Sequence, residues 1–394
     1  MRAEQLAVAS LAATAVALAA LPWAPWRPRG AAQWAAAGLA WVAWQRLLAS
    51  GFRTWTVGRV GRVAAPPSHA GQVFVVTGAG VGGIGYWTAA ALLARGATVV
   101  VTARSAAAAK DAAARLRGEL AGPPPAGAAA HGMALQLSDP RSVRAFAAEL
   151  KAFLAGRPLD GLVNNAGAMQ PSPTWVACAG DGTDGTAAKV EVNIATNFLG
   201  PHYLTQLLLP LMPSGAPRRA RVVFVASQAH RKVPDLAGFW DRSTAGFATV
   251  AGTPFTFGQQ FEQYGLSKLG NMADAVGFSA GPAATAPLAV SLHPGVAWGT
   301  NVVNDLPPAK FLASIGLKQV VIGLMMLFMR SPQEAADTSV FCATAPDAAL
   351  RAGGYYVDGA DATSSQRQGP AKDDAALRRL FDWGNLWTAK WAAA

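Results

Sequence analysis

From residue 71 onward, short runs of β-branched and aliphatic residues alternate with longer Ala/Leu-rich stretches. This alternation constrains the fold more than any other feature of the chain. The runs are Val73–Thr77, Thr98–Ala103, Met133–Leu137, Gly161–Asn164, Arg221–Ala226 and Leu288–Leu292, with Tyr355–Val357 as a late edge strand. Most are apolar throughout rather than at every second position, which suits strands covered on both faces. Strands separated by helices pair in parallel, so the expected fold is doubly wound α/β: a parallel sheet with helices on both faces. Hydrophobic residues make up 52% of the chain and charged residues 14%, enough apolar surface to offset chain entropy and exclude disorder. The Pro/Gly/Ala-rich stretch at 121–130 reads as a surface loop.

The first strand runs straight into Gly78-Ala-Gly-Val-Gly-Gly-Ile-Gly85, and Tyr86–Arg95 follows as a helix. Glycines at a strand-to-helix turn let the backbone approach a pyrophosphate, whose charge is held by free N–H groups at the helix start. Thr77, Gly78, Gly82, Gly83, Ile84 and Gly85 are therefore candidate dinucleotide contacts. The next strand ends Val101-Thr-Ala-Arg104, with no acid to accept bonds from a ribose 2′-hydroxyl. Arg104 instead offers positive charge where a 2′-phosphate would lie, so the expected cofactor is NADP(H) rather than NAD(H).

Tyr264 and Lys268 stand four residues apart, which on a helix puts both on one face. A free phenol titrates near pH 10, and an adjacent ammonium is expected to favour the phenolate and lower that value. Around this pair lie Leu162-Val-Asn-Asn-Ala-Gly167, Thr196-Asn-Phe-Leu-Gly200, Val225-Ala-Ser-Gln-Ala-His230, Tyr264-Gly-Leu-Ser-Lys268 and His293-Pro-Gly295. Each motif is short, but in this order they resemble the short-chain dehydrogenase/reductase family across residues 71–394. Ser331–Thr338 and Gly354–Asp358 are similar to the closing segments of its retinol-dehydrogenase-like and WW-domain-containing-oxidoreductase-like members, although no WW domain is evident.

The resemblance implies a Rossmann-type domain and a division of labour. Ser227 would polarise a substrate carbonyl and Tyr264 would move the proton. Lys268 would hold the nicotinamide ribose and tune Tyr264, and Asn197 would support a water-linked proton path. Asn164, Ala166 and Gly167 would line the cofactor, with Asn164 also stabilising the central strands, and Pro294, Gly295 and Thr300 would close over its nicotinamide side. Three positions depart from the pattern. Thr77-Gly78 is separated from Gly83-Ile-Gly85 by one residue more than in the family, Gln136 replaces an Asp, and His293–Thr300 is one residue longer.

The N-terminal residues 1–30 are a different kind of sequence. Gln5 to Trp26 are 22 uncharged residues, long enough as a helix to cross a hydrocarbon core of about 30 Å. Trp23, Trp26, Arg27 and Arg29 follow an interfacial pattern. A hydrophobic helical anchor is the leading expectation for this segment, with a cleaved targeting peptide and then a soluble helical extension as alternatives. Residues 31–70 read as an aromatic amphipathic helix (Trp34, Trp41, Trp44, Leu48) and a linker containing Pro66-Pro67.

Of the formal net charge of +11, seven Arg against Glu4 place +6 within residues 1–70. No basic stripe with stacking aromatics exists to neutralise phosphates, so nucleic acid is excluded as a partner. Cys178 and Cys342 lie far apart and the five histidines are scattered, so no metal site is expected.

Two apolar regions read either as substrate wall and lipid-touching lid or, equally, as packing under a long loop and a buried helix. Phe239, Trp240, Phe247, Phe255, Phe257 and Phe261 lie between Ser227 and Tyr264, and Phe311–Met329 is strongly apolar. A hydrophobic alcohol, ketone or aldehyde (a retinoid, sterol or similar lipid) is the expected substrate, handled at an endoplasmic reticulum or plastid membrane. A homo-oligomer is left open. The competing reading is a dinucleotide-binding scaffold or redox-sensing subunit of a membrane assembly.

Overall fold

The computed structural model describes residues 68–118, 125–172, 174–177, 189–213, 219–236, 256–282, 285–297 and 329–392. The expected N-terminal anchor, the aromatic helix after it, Thr300, most of the aromatic insert and nearly all of Phe311–Met329 lie outside these residues. The described elements fall within the unit formed by Val60–Lys318 and Arg330–Ala394.

The sheet is built from β1 (Val73–Val76), β2 (Thr98–Ala103), β3 (Ala129–Ala134), β4 (Gly161–Asn164), β7 (Arg221–Val225), β8 (Leu288–His293), β9 (Tyr355–Val357) and β10 (Ala360–Asp361), while β5 (Trp175–Ala177) and β6 (Lys189–Glu191) form a separate antiparallel pair. The order across the sheet is β10-β9-β8-β7-β4-β1-β2-β3. Every neighbouring pair runs parallel except β9 with β10. The chain thus begins in the middle of the sheet and winds outward both ways. The crevice at such a reversal, outside the strands' carboxyl ends, is where open α/β sheets bind ligands.

Alternation along β1 shows why its residues are apolar throughout. Val73 and Val75 enter one core, Phe74 and Val76 the other. The first core packs α3 (Pro140–Leu154), α5 (Gly200–Leu208), α6 (Phe257–Phe278) and α8 (Asp374–Ala392) onto the sheet. The second packs α1 (Ile84–Leu93), α2 (Ala106–Gly118) and α7 (Pro332–Thr344) onto the opposite face. Local signals set the ends of these helices. Asp139 caps α3 by accepting from the Arg141 N–H, with Pro140 in the first turn, and full capping boxes start α6 (Thr256 with Gln259) and α7 (Ser331 with Glu334).

Two details differ from the sequence expectation, and a third is one the sequence did not address. The third strand is Ala129–Ala134 rather than Met133–Leu137, because Ala129 to Ala134 pair with Thr98 to Ala103. Its small residues permit close cover: a Cβ at Gly132 would stand 2.2 Å from the Ala109 carbonyl oxygen of α2. Tyr355–Val357 is not the edge, since Ala360 and Asp361 pair outside it. Finally, the helix that carries Asn197 is not uniform. One turn of α4 (Val192–Ile194) passes into a π-helical segment, Ala195–Leu199, before α5. Among the described residues no helix is long and apolar enough to cross a membrane.

Candidate active site

At the end of β1 the chain turns into the glycine loop, and β4 fixes where it lies. Thr77 Oγ1 accepts from the Asn165 and Ala166 N–H groups, both at 3.0 Å. Asn165 Nδ2 donates back to the carbonyls of Thr77 (2.9 Å) and Gly78 (3.2 Å). The approach leaves no room for side chains: a Cβ at Gly78 would lie 2.7 Å from the Ala166 Cα, and one at Gly85 2.4 Å from Asn165 Nδ2. The extra residue relative to the family spacing is absorbed in a turn over Gly80–Gly83, closed by the Gly83 N–H to the Gly80 carbonyl (3.0 Å). Gly82 takes φ +78° at the third position of that turn, which a type II turn reserves for glycine.

The start of α1 fits a dinucleotide pyrophosphate. Its N-cap, Gly83, makes no side-chain capping bond, and no acidic residue occupies the first turn. Backbone donors and the positive end of the helix dipole therefore face the loop without a competing carboxylate. Arg104 follows β2 with its side chain exposed.

Asn164 to Gly167 link this loop to the reactive side chains. Ala166 lies against Gly78, and a Cβ on the next residue, Gly167, would stand 3.0 Å from Lys268 Nζ and 3.5 Å from Asn197 Oδ1. Lys268 and Tyr264 share one face of α6, with Nζ 5.7 Å from the phenol ring centroid. The ammonium donates to the Val225 carbonyl at the end of β7 (2.7 Å) and to Asn271 Oδ1 (3.2 Å). Ser227, two residues past Val225, caps a 3₁₀ turn (Gln228–Lys232) by accepting from the Ala229 N–H at 3.2 Å. Its side chain lies beside the Tyr264 phenol and favours the ionised form.

Asn197 is committed to the backbone beside this pair. Its Oδ1 accepts from the Ala168 N–H (2.8 Å), and its Nδ2 donates to the Ala168 carbonyl (2.7 Å) and to Ser267 Oγ (2.9 Å). Asn271 Nδ2 in turn donates to the Asn197 carbonyl (2.6 Å). The π segment opens the helix ladder where Asn197 must reach the strand ends, a frequent role of such bulges at functional sites.

The electrostatics correct one expectation. Burial pushes the Tyr264 phenol up to about 12, and the Ser227 side chain only partly opposes it. Burial also lowers Lys268 to about 7. The ammonium was expected to pull the phenol down, but desolvation acts on both partners in favour of their neutral forms.

Other expected residues sort as follows. Asn164 directs Nδ2 to Thr205 Oγ1 (3.1 Å) within the core, so its side chain takes the structural part of its expected role, tying β4 to α5, and not the cofactor-lining part. Gly295 adopts φ +86°, and the Pro294 carbonyl accepts from Arg330, which is ion-paired to Asp358 at 2.5 Å. Gln136 bonds its own neighbour Ser138 (2.9 Å). Asn165, Ser267, Asn271 and Arg330 were missed. Asn165 and Ser267 stood inside motifs already singled out, whereas nothing in the sequence marked Asn271 and Arg330. Among the described residues no cluster of potential ligands could hold a metal ion.

A glycine turn at the middle of a parallel sheet, joined within two residues to a Ser/Tyr/Lys/Asn group, defines a dinucleotide-dependent oxidoreductase site. The family described as short chain dehydrogenase matches residues 72–238. Retinol dehydrogenase 14 of Homo sapiens is 32% identical over 365 residues, covering 88% of this chain and 93% of that protein. Polyprenol dehydrogenase of Mus musculus is 32% identical, covering 81% and 84%. Dehydrogenase/reductase SDR family member 13 of Bos taurus is 31% identical, covering 81% and 75%. An uncharacterised protein from Mycobacterium paratuberculosis shares the fold with TM-score 0.51 at 24% identity, over 82% of this chain and 96% of that one. The chain belongs to the short-chain dehydrogenase/reductase family of oxidoreductases, whose Rossmann-like domain binds a nicotinamide dinucleotide.

Proposed function

We propose that the protein is an NADP(H)-dependent oxidoreductase that interconverts a hydrophobic alcohol and its aldehyde or ketone. The observation that carries this reading is the placement of Tyr264 beside Lys268, with Ser227 next to the phenol, two residue steps from the glycine loop through Ala166 and Gly167. Reduced nicotinamide, when bound, supplies the hydride, and the protein manages the proton and the geometry.

Ser227 Oγ donates to the substrate oxygen and fixes the carbonyl beside Tyr264. The Tyr264 hydroxyl then delivers its proton as negative charge develops on that oxygen. A phenol near 12 stays protonated at neutral pH and is ready to donate. Lys268, near 7, stands beside the phenol and returns a proton to the more basic phenolate, a transfer that runs downhill. Asn197 holds the Ala168 backbone and Ser267 so that the floor beneath this exchange does not shift. In the oxidation direction the same groups act in reverse. Thr77, Gly78, Gly82, Gly83, Ile84 and Gly85 would carry the pyrophosphate, and Arg104 the 2′-phosphate.

The lipid character of the substrate is supported by relatives whose names specify retinol and polyprenol, and by the aromatic and apolar stretches of the sequence. The same lipophilicity supports attachment of residues 1–30 to a membrane. Tyr264→Phe is the test. NADPH oxidation with a retinoid aldehyde should fall by about 10³-fold or more while NADPH binding persists, because only the proton-transfer group is lost. Wild-type protein that binds NADPH but turns over no member of a carbonyl panel would favour the scaffold role instead.

A further inference from the structure

The motif that supplies Ser227 ends in a histidine with no part in the reaction as described. His230 is fully buried and lies edge-on to Tyr355 of β9, ring centroids 5.5 Å apart. Both of its donors reach one atom, the Ser227 carbonyl oxygen: the backbone N–H at 3.2 Å and ring Nδ1 at 2.7 Å. A carbonyl only accepts, so Nδ1 carries the ring proton in this contact. Burial, then Arg231 on the same turn and Arg367 from the C-terminal segment, lower the histidine's pKa, against the Ser227 and Gln366 carbonyls. His293 at the end of β8 lies in the same cluster and is itself neutral, burial pushing it down to about 3. The ring is therefore neutral near pH 7, with its one proton on Nδ1.

The rest of the turn is braced from two sides. Gln366 Oε1 accepts from Gln228 Nε2 (3.2 Å) and Arg231 Nη2 (3.1 Å). On the other side α6 presses so close that a Cβ at Gly265 would lie 2.3 Å from the Ala229 carbonyl oxygen. These contacts fix the turn as a body, whereas those of His230 fall on Ser227 itself. Ser227 leaves β7 in an extended conformation (φ −158°, ψ 153°), and the direction of its side chain follows from how its carbonyl is held.

We infer that His230 is a positioning residue for the reaction read from this site, aiming Ser227 Oγ at the Tyr264 hydroxyl by holding the Ser227 carbonyl through Nδ1–H. The inference rests on the proposed oxidoreductase reading. It distinguishes His230 from a core histidine, whose loss would lower stability without changing proton transfer.

The test compares three variants of the full-length protein in carbonyl reduction, with thermal melting and NADPH affinity measured in parallel. Asparagine places a side-chain N–H about where Nδ1 stands, glutamine extends it by one methylene, and leucine keeps bulk without a donor. His230→Leu and His230→Gln should lower kcat about 10- to 100-fold, the scale of a misdirected catalytic group, with NADPH affinity within about twofold of wild type. The alkaline limb of their kcat profile should move to higher pH, because the Ser227 contact that lowers Tyr264 is weakened. His230→Asn should restore both kcat and the limb to near wild type. If the leucine variant does not fold, the asparagine–glutamine difference alone decides. Equal kcat in those two variants, or an unmoved limb, overturns the inference while leaving the oxidoreductase reading intact. A wild type that reduces no carbonyl overturns both.

Discussion

One added methyl group at Gly167 separates positioning from stability. A Cβ there would stand 3.0 Å from Lys268 Nζ, where unstrained contacts between such atoms begin near 3.5 Å. The ammonium must therefore retreat by about 0.5 Å. Because Nζ ends a flexible four-carbon stem, that retreat costs little folding energy. Gly167 is also not among the residues with positive φ, so alanine is compatible with the backbone and restricts the unfolded chain by about 0.4–1 kcal/mol in its favour. The two effects leave the melting temperature of Gly167→Ala within a few degrees of wild type. Catalysis has less tolerance. Nζ sits 2.7 Å from the Val225 carbonyl and 3.2 Å from Asn271 Oδ1, and moving it stretches one of these bonds. A misplacement of 1 Å costs about 10²-fold, so half that distance should cost roughly 10-fold in kcat. The assay is NADPH consumption with a saturating retinoid aldehyde, beside a thermal melt. An unchanged kcat would refute the placement of Lys268. A collapse in melting temperature would show that residue 167 is set by folding rather than by the site.

Three further outcomes are expected. Lys268 titrates near 7 in the folded protein but near 10.5 unfolded, so between those values the unfolded chain binds more protons and stability rises with pH. Lys268→Met should abolish turnover, melt higher than wild type at pH 6, where the buried charge costs most, and flatten the rise from pH 7 to 10. Matching melting profiles would contradict this assignment. Arg104→Ala should weaken NADPH binding about 10-fold or more with NADH binding unchanged, the scale of one lost charged hydrogen bond, and equal losses would contradict the 2′-phosphate role. Alkaline carbonate should leave the full-length chain in membranes and release a variant lacking residues 1–30. Release of the full-length chain would exclude a spanning anchor.

Much of the fold was legible because strands buried on both faces admit little besides aliphatic residues. Val73–Val76, Thr98–Ala103 and Arg221–Val225 therefore announce themselves. The third strand slipped for the same reason in reverse. Ala129, Ala130 and Gly132 pair normally, but their small size serves close contact with α2 and carries no hydrophobic signal. The β10 edge is two residues long and polar at Asp361, so periodicity could not separate it from a turn. The π segment depends on where Asn197 must reach in three dimensions, and no local preference of Ala195–Leu199 encodes that.

The site was legible as a set of residues and illegible as a set of charges. Tyr264, Lys268, Ser227 and Asn197 gather near the glycine loop as the motif order implied, yet the phenol shifts opposite to the expected direction. Spacing along a helix shows that an ammonium is near a phenol but not how much water either retains. Here the loss of water governs both groups, pushing Tyr264 to about 12 and Lys268 to about 7. Asn165 shows the complementary gap. It stands inside a motif already recognised, but its work is to pin the Thr77 and Gly78 carbonyls, a role visible only once β4 lies beside β1. Residues that touch the substrate or its proton recur as sequence motifs because chemistry limits their identity. Residues that hold those motifs in place are fixed by contact, and His230, Asn165 and Asn271 belong to this second group.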